Sequence, residues 1–153
     1  MRLYIIRHGE TSWNKAKRLQ GRKDIMLDAD GIRLAEKTGE GMQDIDFDLV
    51  ISSPLIRAKQ TAELVLAGRQ IPMITDKRII EMSFGKWEGE SVRESTVLPA
   101  DYVDKFYHDP YHCPKAPGGE SFQDVLNRTA DFYQSLIKNE AYRDANILIS
   151  THG

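Results

Sequence analysis

The sequence predicts an α/β domain with a mostly parallel central sheet. Three short apolar runs lack polar alternation, which is typical of strands covered on both faces, and they span residues 3–6, 49–51 and 147–149. The segments between them carry apolar residues at helical spacing. Alternating strands and helices favour a layered α/β domain, in which ligands bind beyond the carboxyl ends of the strands.

Residues 3–6 are expected to form a central strand, because the run has no polar face. The strands at 49–51 and 147–149 each run directly into a pair of hydroxyl residues, and residues 73–75 are a weaker fourth candidate. Polar side chains at these strand ends are therefore the first candidates for a functional site.

Three helices are predicted. Asp28 would cap the first. The second begins where a strand stops, with Ser53 as its cap and Pro54 at its first position. The third is the clearest, because one apolar stripe follows the capping residue Ser121: Phe122, Val125, Leu126, Thr129, Phe132 and Leu136.

The stretch 84–119 fits neither period and is predicted to be an insertion or lid. It combines four prolines with the aromatic residues Tyr102, Phe106, Tyr107 and Tyr111. Such near-helical spacing is more typical of local core than of a binding stripe, although the tyrosines would also suit contact with a substrate.

Length and charge exclude several classes of protein. The 153 residues favour a single domain over 1–153. A balance of 21 Lys+Arg against 23 Asp+Glu gives a net charge of −2, which provides no basic field for a nucleic acid. Apolar runs are far shorter than the ~20 residues of a membrane helix, and no signal peptide is expected. The single cysteine, Cys113, cannot form an intramolecular disulfide, which favours a cytoplasmic location.

A dense polar cluster follows the first strand. It reads Arg7-His8-Gly9-Glu10-Thr11 and is followed by Trp13 and Asn14. Arginine offers a fork of donors for phosphate, and a neutral histidine can act as a nucleophile near pH 7. The plainer alternative is that Arg7 pairs with an acid and His8 is a satisfied polar residue at a strand end.

Two further clusters follow the other strands. Arg57 lies on the first turn of the second predicted helix, where backbone amides attract anions, although a capped helix with an exposed arginine is the simpler explanation. His152-Gly153 repeats the pair His8-Gly9. If these residues converge, an anion between them is the natural explanation, because like charges repel.

Glu81 is the remaining candidate. Its segment, residues 81–89, is rich in apolar side chains, which would raise the pKa of the carboxyl and make it a proton donor. An ordinary surface glutamate is the alternative, and spacing alone does not decide between them.

These motifs together resemble the histidine phosphatase superfamily, also called phosphoglycerate mutase-like. The resemblance covers almost the whole chain in the family order and rests on five segments, namely residues 7–14, 52–57, 81–89, 118–121 and 151–153. It implies a three-layer sandwich with a mostly parallel central sheet and helices on both faces.

The resemblance also implies residue roles. His8 would be the nucleophile, with Arg7, Arg57 and His152 binding phosphate oxygens and Glu81 serving as acid and later base. Asn14 and Gly153 match further positions of the phosphate pocket. Neither a metal nor a cofactor is implied. Because the family usually continues with another helix and strand, we expect the chain to be truncated after Gly153, with the C-terminal part of the fold missing.

A zinc site at His108, His112 and Cys113 is disfavoured, because structural zinc usually takes four ligands and no fourth is evident. The leading hypothesis is a metal-independent phosphatase acting on small phosphomonoesters through a phosphohistidine. Two alternatives stay open, a cofactor-dependent phosphoglycerate mutase and a non-catalytic protein that binds phosphate esters. The mutase is disfavoured because the segment between Glu81 and Gly118 is short compared with the insertions of family mutases.

Overall fold

The computed structural model describes residues 1–153 and contains a four-stranded parallel sheet. Its strands are β1 (Arg2–Arg7), β2 (Leu49–Ser52), β3 (Met73–Thr75) and β4 (Asn146–Thr151), in the spatial order β1-β4-β2-β3. All strands point the same way, so their carboxyl ends share one edge of the sheet. The four predicted strands are confirmed.

Five helices accompany the sheet. They are α1 (Ser12–Lys15), α2 (Ala29–Gly41), α3 (Ile56–Leu66), α4 (Tyr102–His108) and α5 (Phe122–Ile137), and short 3₁₀ turns span Lys77–Ile79, Gly85–Trp87, Pro110–His112 and Glu140–Tyr142. No helix combines the length and the apolar character that crossing a membrane requires.

The helices cover both faces of the sheet. Val50 and Leu148 are partners in register and point to one face, where they pack with α3. Ile51 and Ile149, the next partners along, point to the other face and pack against α5. The predicted three-layer sandwich is therefore confirmed.

Two local predictions are wrong. β1 is an edge strand that pairs only with β4, and Ile5 on it is 66% exposed. α3 begins at Ile56 without a side-chain cap, so Ser53 does not cap it and Pro54 is not its first residue. The Ser53 hydroxyl lies 2.8 Å from a ring nitrogen of His152 instead. The caps at Asp28 and Ser121 are confirmed, since both side chains accept backbone amides of the following helix.

The segment 84–119 packs with Leu19, from a neighbouring loop, to form a small core of its own. Its buried residues are Leu19, Phe84, Trp87, Tyr102 and Ala116. Tyr102 is buried and Phe106 packs against it, whereas Tyr107 and Tyr111 are exposed. The aromatic set thus divides into a local core and two side chains that face solvent.

Candidate active site

His8 and His152 lie side by side at the carboxyl ends of β1 and β4. The two strands are hydrogen-bonded neighbours, and the backbone N–H of His8 donates to the Thr151 carbonyl at 2.9 Å. The ring centroids are 5.2 Å apart and the planes are inclined by 59°. The topology of the sheet therefore brings the two distant histidines into one site.

The tautomer of His8 follows from its hydrogen bonds. Nδ1 lies 2.7 Å from the Gly9 carbonyl oxygen, which can only accept, so Nδ1 carries the proton. Nε2 therefore holds the lone pair, and it accepts a hydrogen bond from Nε of Arg57 at 3.2 Å. Burial, helped by Arg57 and Arg7, lowers the pKa of His8 to about 4. His8 is thus a neutral base with its lone pair directed at a cation.

The guanidinium of Arg57 is fixed by the loop that follows α1. Arg57 is fully buried, and its Nη1 and Nη2 donate to the carbonyls of Lys23 and Gly21 at 2.9 and 2.8 Å. The position of Arg57 on the first turn of α3 adds the partial positive charge of a helix N-terminus. A permanent cation is therefore held rigidly against His8.

His152 contacts Ser53 through Nε2, at 2.8 Å. The Ser53 Oγ also accepts from the Leu55 amide at 3.4 Å, and we assign the tautomer of His152 in which the Ser53 hydroxyl donates to Nε2. Nδ1 then carries the ring proton of His152, and this buried atom has no hydrogen-bond partner. Burial, reinforced by Arg57 and His8, lowers the pKa of His152 to about 2. An unused donor therefore faces the centre of the site.

Glu81 closes the site opposite His152. Its Oε2 lies 3.8 Å from Nδ1 of His152, and its Oε1 accepts the Met82 amide at 2.8 Å. Burial raises the pKa of Glu81 and outweighs the opposing effects of the Met82 amide, Arg57 and Arg7. A carboxyl of this kind holds its proton at higher pH than an exposed glutamate does.

The loop after His8 is packed tightly against two helices. The Gly9 amide donates to the hydroxyl of Thr61 on α3 at 2.9 Å, and a Cβ on Gly9 would lie 2.6 Å from the carbonyl oxygen of Gly31 on α2. Sequence reasoning missed Thr61 and Gly31. A glycine in the first turn of a predicted helix was the available signal for Gly31, whereas Thr61 gave none.

Three other predicted site residues lie at the rim. Arg7 is exposed, and its side chain lies beside Gly153 and makes no hydrogen bond within the chain. Asn14 uses its carbonyl oxygen to cap α1, where it accepts from the amide and hydroxyl of Thr11 at 3.0 and 2.9 Å. Its amide nitrogen remains available to a ligand.

The site favours an anion over a metal ion. His8, Glu81 and His152 offer ligand atoms within 4.8 Å of one another, a spacing that a cation could use. However, an N–H of Arg57 already points at the lone pair of His8, and a guanidinium repels a metal ion. The other acidic group, Glu10 with Asp28 and Asp30, is bridged by Lys15, which lies 2.7 Å from Asp28.

Comparison with known proteins identifies the class to which this fold and site belong. The chain is a member of the histidine phosphatase superfamily (branch 1), whose family model matches residues 3–153.

Two curated relatives illustrate the match. The chain is 34% identical over 149 residues to the uncharacterized phosphatase PhoE of Bacillus subtilis, covering 97% of this chain and 70% of PhoE. It is 36% identical over 152 residues to the adenosylcobalamin/alpha-ribazole phosphatase of Escherichia coli, covering 99% of this chain and 73% of that protein. Among solved structures, Bacillus stearothermophilus YhfR superimposes with a TM-score of 0.89 and 36% identity, covering 99% and 73% of the two chains.

Proposed function

We propose that the protein hydrolyses small phosphomonoesters through a covalent phosphohistidine on His8. One observation carries the proposal: the Nε2 lone pair of His8 and the unpartnered Nδ1 of His152 share a buried site with the Arg57 guanidinium. The Nδ1–H assigned to His152 has no acceptor within the chain, and a phosphoryl oxygen would supply one. Phosphoryl transfer depends mainly on such positioning and charge stabilisation.

In the first step the Nε2 lone pair of His8 forms a bond to phosphorus while the ester P–O bond breaks. Glu81 donates its proton to the leaving oxygen, so an alcohol departs and Glu81 becomes a carboxylate. The Gly9 carbonyl accepts the hydrogen bond from Nδ1–H and thereby stabilises the positive charge that develops on the ring of His8.

In the second step water attacks phosphorus in line with the N–P bond. Glu81 takes a proton from this water, the N–P bond breaks, and its electron pair returns to Nε2. Inorganic phosphate leaves, and both His8 and Glu81 regain their starting states. Arg7, Asn14, Arg57, His152 and the Gly153 amide are proposed to bind the phosphate oxygens through both steps.

The substrate class is proposed from the phosphatase names of the relatives. The insertion 84–119 is proposed to contact the alcohol part of the substrate. A cytoplasmic location is part of the proposal and rests on the single, half-buried Cys113.

The test is hydrolysis of an aryl phosphate by the wild type, by His8→Ala and by a matched control, His108→Ala, which removes an exposed histidine of the insertion. We expect the control to match the wild type and His8→Ala to lose essentially all activity. Quenching a reaction with labelled substrate should trap acid-labile phosphate on the wild type and on the control, and none on His8→Ala. Equal rates for the wild type and His8→Ala would overturn the proposal.

The two alternatives give different results. A mutase would isomerise 3-phosphoglycerate faster than it releases inorganic phosphate. A non-catalytic binding protein would bind a phosphate ester tightly and yield no labelled histidine.

A further inference from the structure

Glu120 holds the segment that carries Glu81. The backbone N–H of Glu120 donates to the Ser83 carbonyl at 2.8 Å, and the Ser83 N–H donates to Oε2 of Glu120 at 2.9 Å. Both backbone groups of Ser83 are therefore bound by one residue. Ser83 lies two positions after Glu81, so these bonds fix the C-terminal side of the acid-bearing segment.

Arg128 on α5 holds the other side of the same segment. Its Nη1 donates to the carbonyl of Arg78 at 2.7 Å, three positions before Glu81. Its Nε and Nη2 donate to the two carboxylate oxygens of Glu120 at 3.0 and 3.2 Å. The side chains of Arg128 and Glu120 are only 15% and 17% exposed. A largely buried, bidentate ion pair therefore connects the backbone before and after Glu81 to the N-terminal half of α5.

The same carboxylate reaches the loop that fixes Arg57. Nη2 of Arg22 lies 2.9 Å from Oε1 of Glu120, and Arg22 stands between Gly21 and Lys23, whose carbonyls accept from Arg57. Glu120 thus joins the segment of the acid to the loop that orients the phosphate-binding cation.

Nothing outside its own segment holds the carboxyl of Glu81 by a hydrogen bond. The carboxyl accepts one hydrogen bond, from the amide of the adjacent Met82, and His152 is 3.8 Å away. The position of Glu81 is therefore set by the backbone of residues 78–83, which Arg128 and Glu120 hold from both sides. A catalytic group displaced by about 1 Å can lose about a hundredfold in rate.

We infer that Glu120 and Arg128 are positioning residues that hold the Glu81 carboxyl within reach of the leaving oxygen. The inference rests on the proposed function, in which Glu81 is the general acid. Charge supports it as well: Arg128 lowers the pKa of Glu81, and Glu120 neutralises Arg128, so losing Glu120 would weaken the retention of the Glu81 proton.

The test exploits the dependence of general acid catalysis on the leaving group. Nitrophenolate departs without a proton, whereas a weakly acidic phenol needs one. We would measure kcat/KM for a series of substituted phenyl phosphates, because this quantity reports the first chemical step and not the hydrolysis of the phosphohistidine. The variants are Glu120→Gln, Arg128→Lys and Glu81→Gln.

The matched control is Arg69→Lys. Arg69 is also partly buried and donates to the backbone carbonyls of Ile45 at 2.8 Å and Leu66 at 3.1 Å, but it lies beyond the C-terminal end of α3. Circular dichroism checks that each variant is folded. Two different positioning variants are included so that misfolding of one leaves the other to give the answer.

Glu120→Gln and Arg128→Lys should reduce kcat/KM for the least acidic phenols by about tenfold more than for nitrophenol, in the same direction as Glu81→Gln. Arg69→Lys should keep the wild-type dependence. In the double variant Glu81→Gln/Glu120→Gln the second change should add no further selectivity.

Failure of the inference is distinguishable from failure of the proposed function. The inference is overturned if Glu81→Gln steepens the leaving-group dependence but Glu120→Gln and Arg128→Lys lower kcat/KM equally for all substrates. Glu120 and Arg128 would then be merely structural. If Glu81→Gln does not steepen this dependence, Glu81 is not the acid, and both fail.

Discussion

Nε of Arg57 lies 3.2 Å from Nε2 of His8, so a permanent cation donates to the lone pair that is proposed to attack phosphorus. The arrangement has two effects. It adds to the burial that keeps His8 unprotonated, and under the proposed function it requires the guanidinium to transfer its hydrogen bond to a phosphate oxygen when substrate binds. Phosphate binding and release of the nucleophile are then the same event.

Substituting Arg57 by Lys tests this relationship. An ammonium keeps the charge, but it cannot donate to His8, Gly21 and Lys23 together. We expect kcat/KM for an aryl phosphate to fall by about 10²–10³-fold, the cost of removing a positioned donor to a developing anion. The exposed Arg33 provides the control, because Arg33→Lys should leave the rate unchanged. A rate within threefold of the wild type for Arg57→Lys would contradict the assigned role.

Ser53→Ala tests the orientation of His152. The change removes the hydroxyl that contacts Nε2, so Nδ1 no longer has to carry the proton that faces the phosphate. One such hydrogen bond corresponds to about a tenfold loss in binding. The measurement is the inhibition constant of inorganic phosphate. Ser52→Ala is the matched control, because it removes a neighbouring buried hydroxyl that bonds only to the Ser53 carbonyl. Equal effects of the two changes would argue against the tautomer assigned to His152.

Stability should fall in acid because of His8. Its pKa is about 4 in the folded protein and 6.5 in an ordinary environment, so below pH 6.5 the unfolded chain binds a proton that the folded protein refuses. His8 therefore destabilises the fold as pH drops, by on the order of 2 kcal/mol at about pH 4.5 relative to neutral pH. The raised pKa of Glu81 acts in the opposite sense.

Urea unfolding of the wild type and His8→Asn at both pH values isolates this effect, because the contribution of Glu81 is common to the two proteins. His8→Asn should lose less stability on acidification than the wild type. An identical loss in both would show that His8 is not a neutral buried base.

Gly31→Ala should destabilise the protein although it improves helix propensity. A Cβ at Gly31 would overlap the backbone of Glu10, in the loop that follows His8. We expect a loss of about 1–3 kcal/mol from this overpacking. Gly41→Ala, near the end of the same helix, meets nothing within 4 Å and should be neutral or stabilising by up to about 1 kcal/mol. Thermal or urea unfolding measures both, and stabilisation by Gly31→Ala would contradict the close packing.

Local signals in the sequence predicted most of the elements of the fold. Helix caps and apolar strand runs depend on residues that are adjacent in the chain, so sequence pattern and propensity are enough to predict them. The caps at Asp28 and Ser121 and the strands β2 and β4 are of this kind. The position of β1 in the sheet is not local. Its apolar run resembles that of a buried strand, yet the strand order leaves Ile5 exposed at the edge.

The candidate site was predictable to the extent that motifs carry it. His8, Arg57, Glu81 and His152 were identified from motifs, and the structure brings all four together. Contacts between residues that are distant in the sequence were not predicted. The hydroxyl of Ser53 was interpreted as a cap because its partner His152 is 99 residues away. Glu120 gave no sign that it binds Ser83, 37 residues earlier.

The hydrogen-bonded pairing of β1 with β4 fixes the backbone spacing of the two strands that carry the histidines. His8 and His152 directly follow these two strands, so their backbones cannot move apart without breaking hydrogen bonds of the sheet, whose neighbouring strands lie about 4.8 Å apart. Under the proposed function, substitutions in residues 84–119 would therefore change the surroundings of the substrate without altering the spacing of the two histidines.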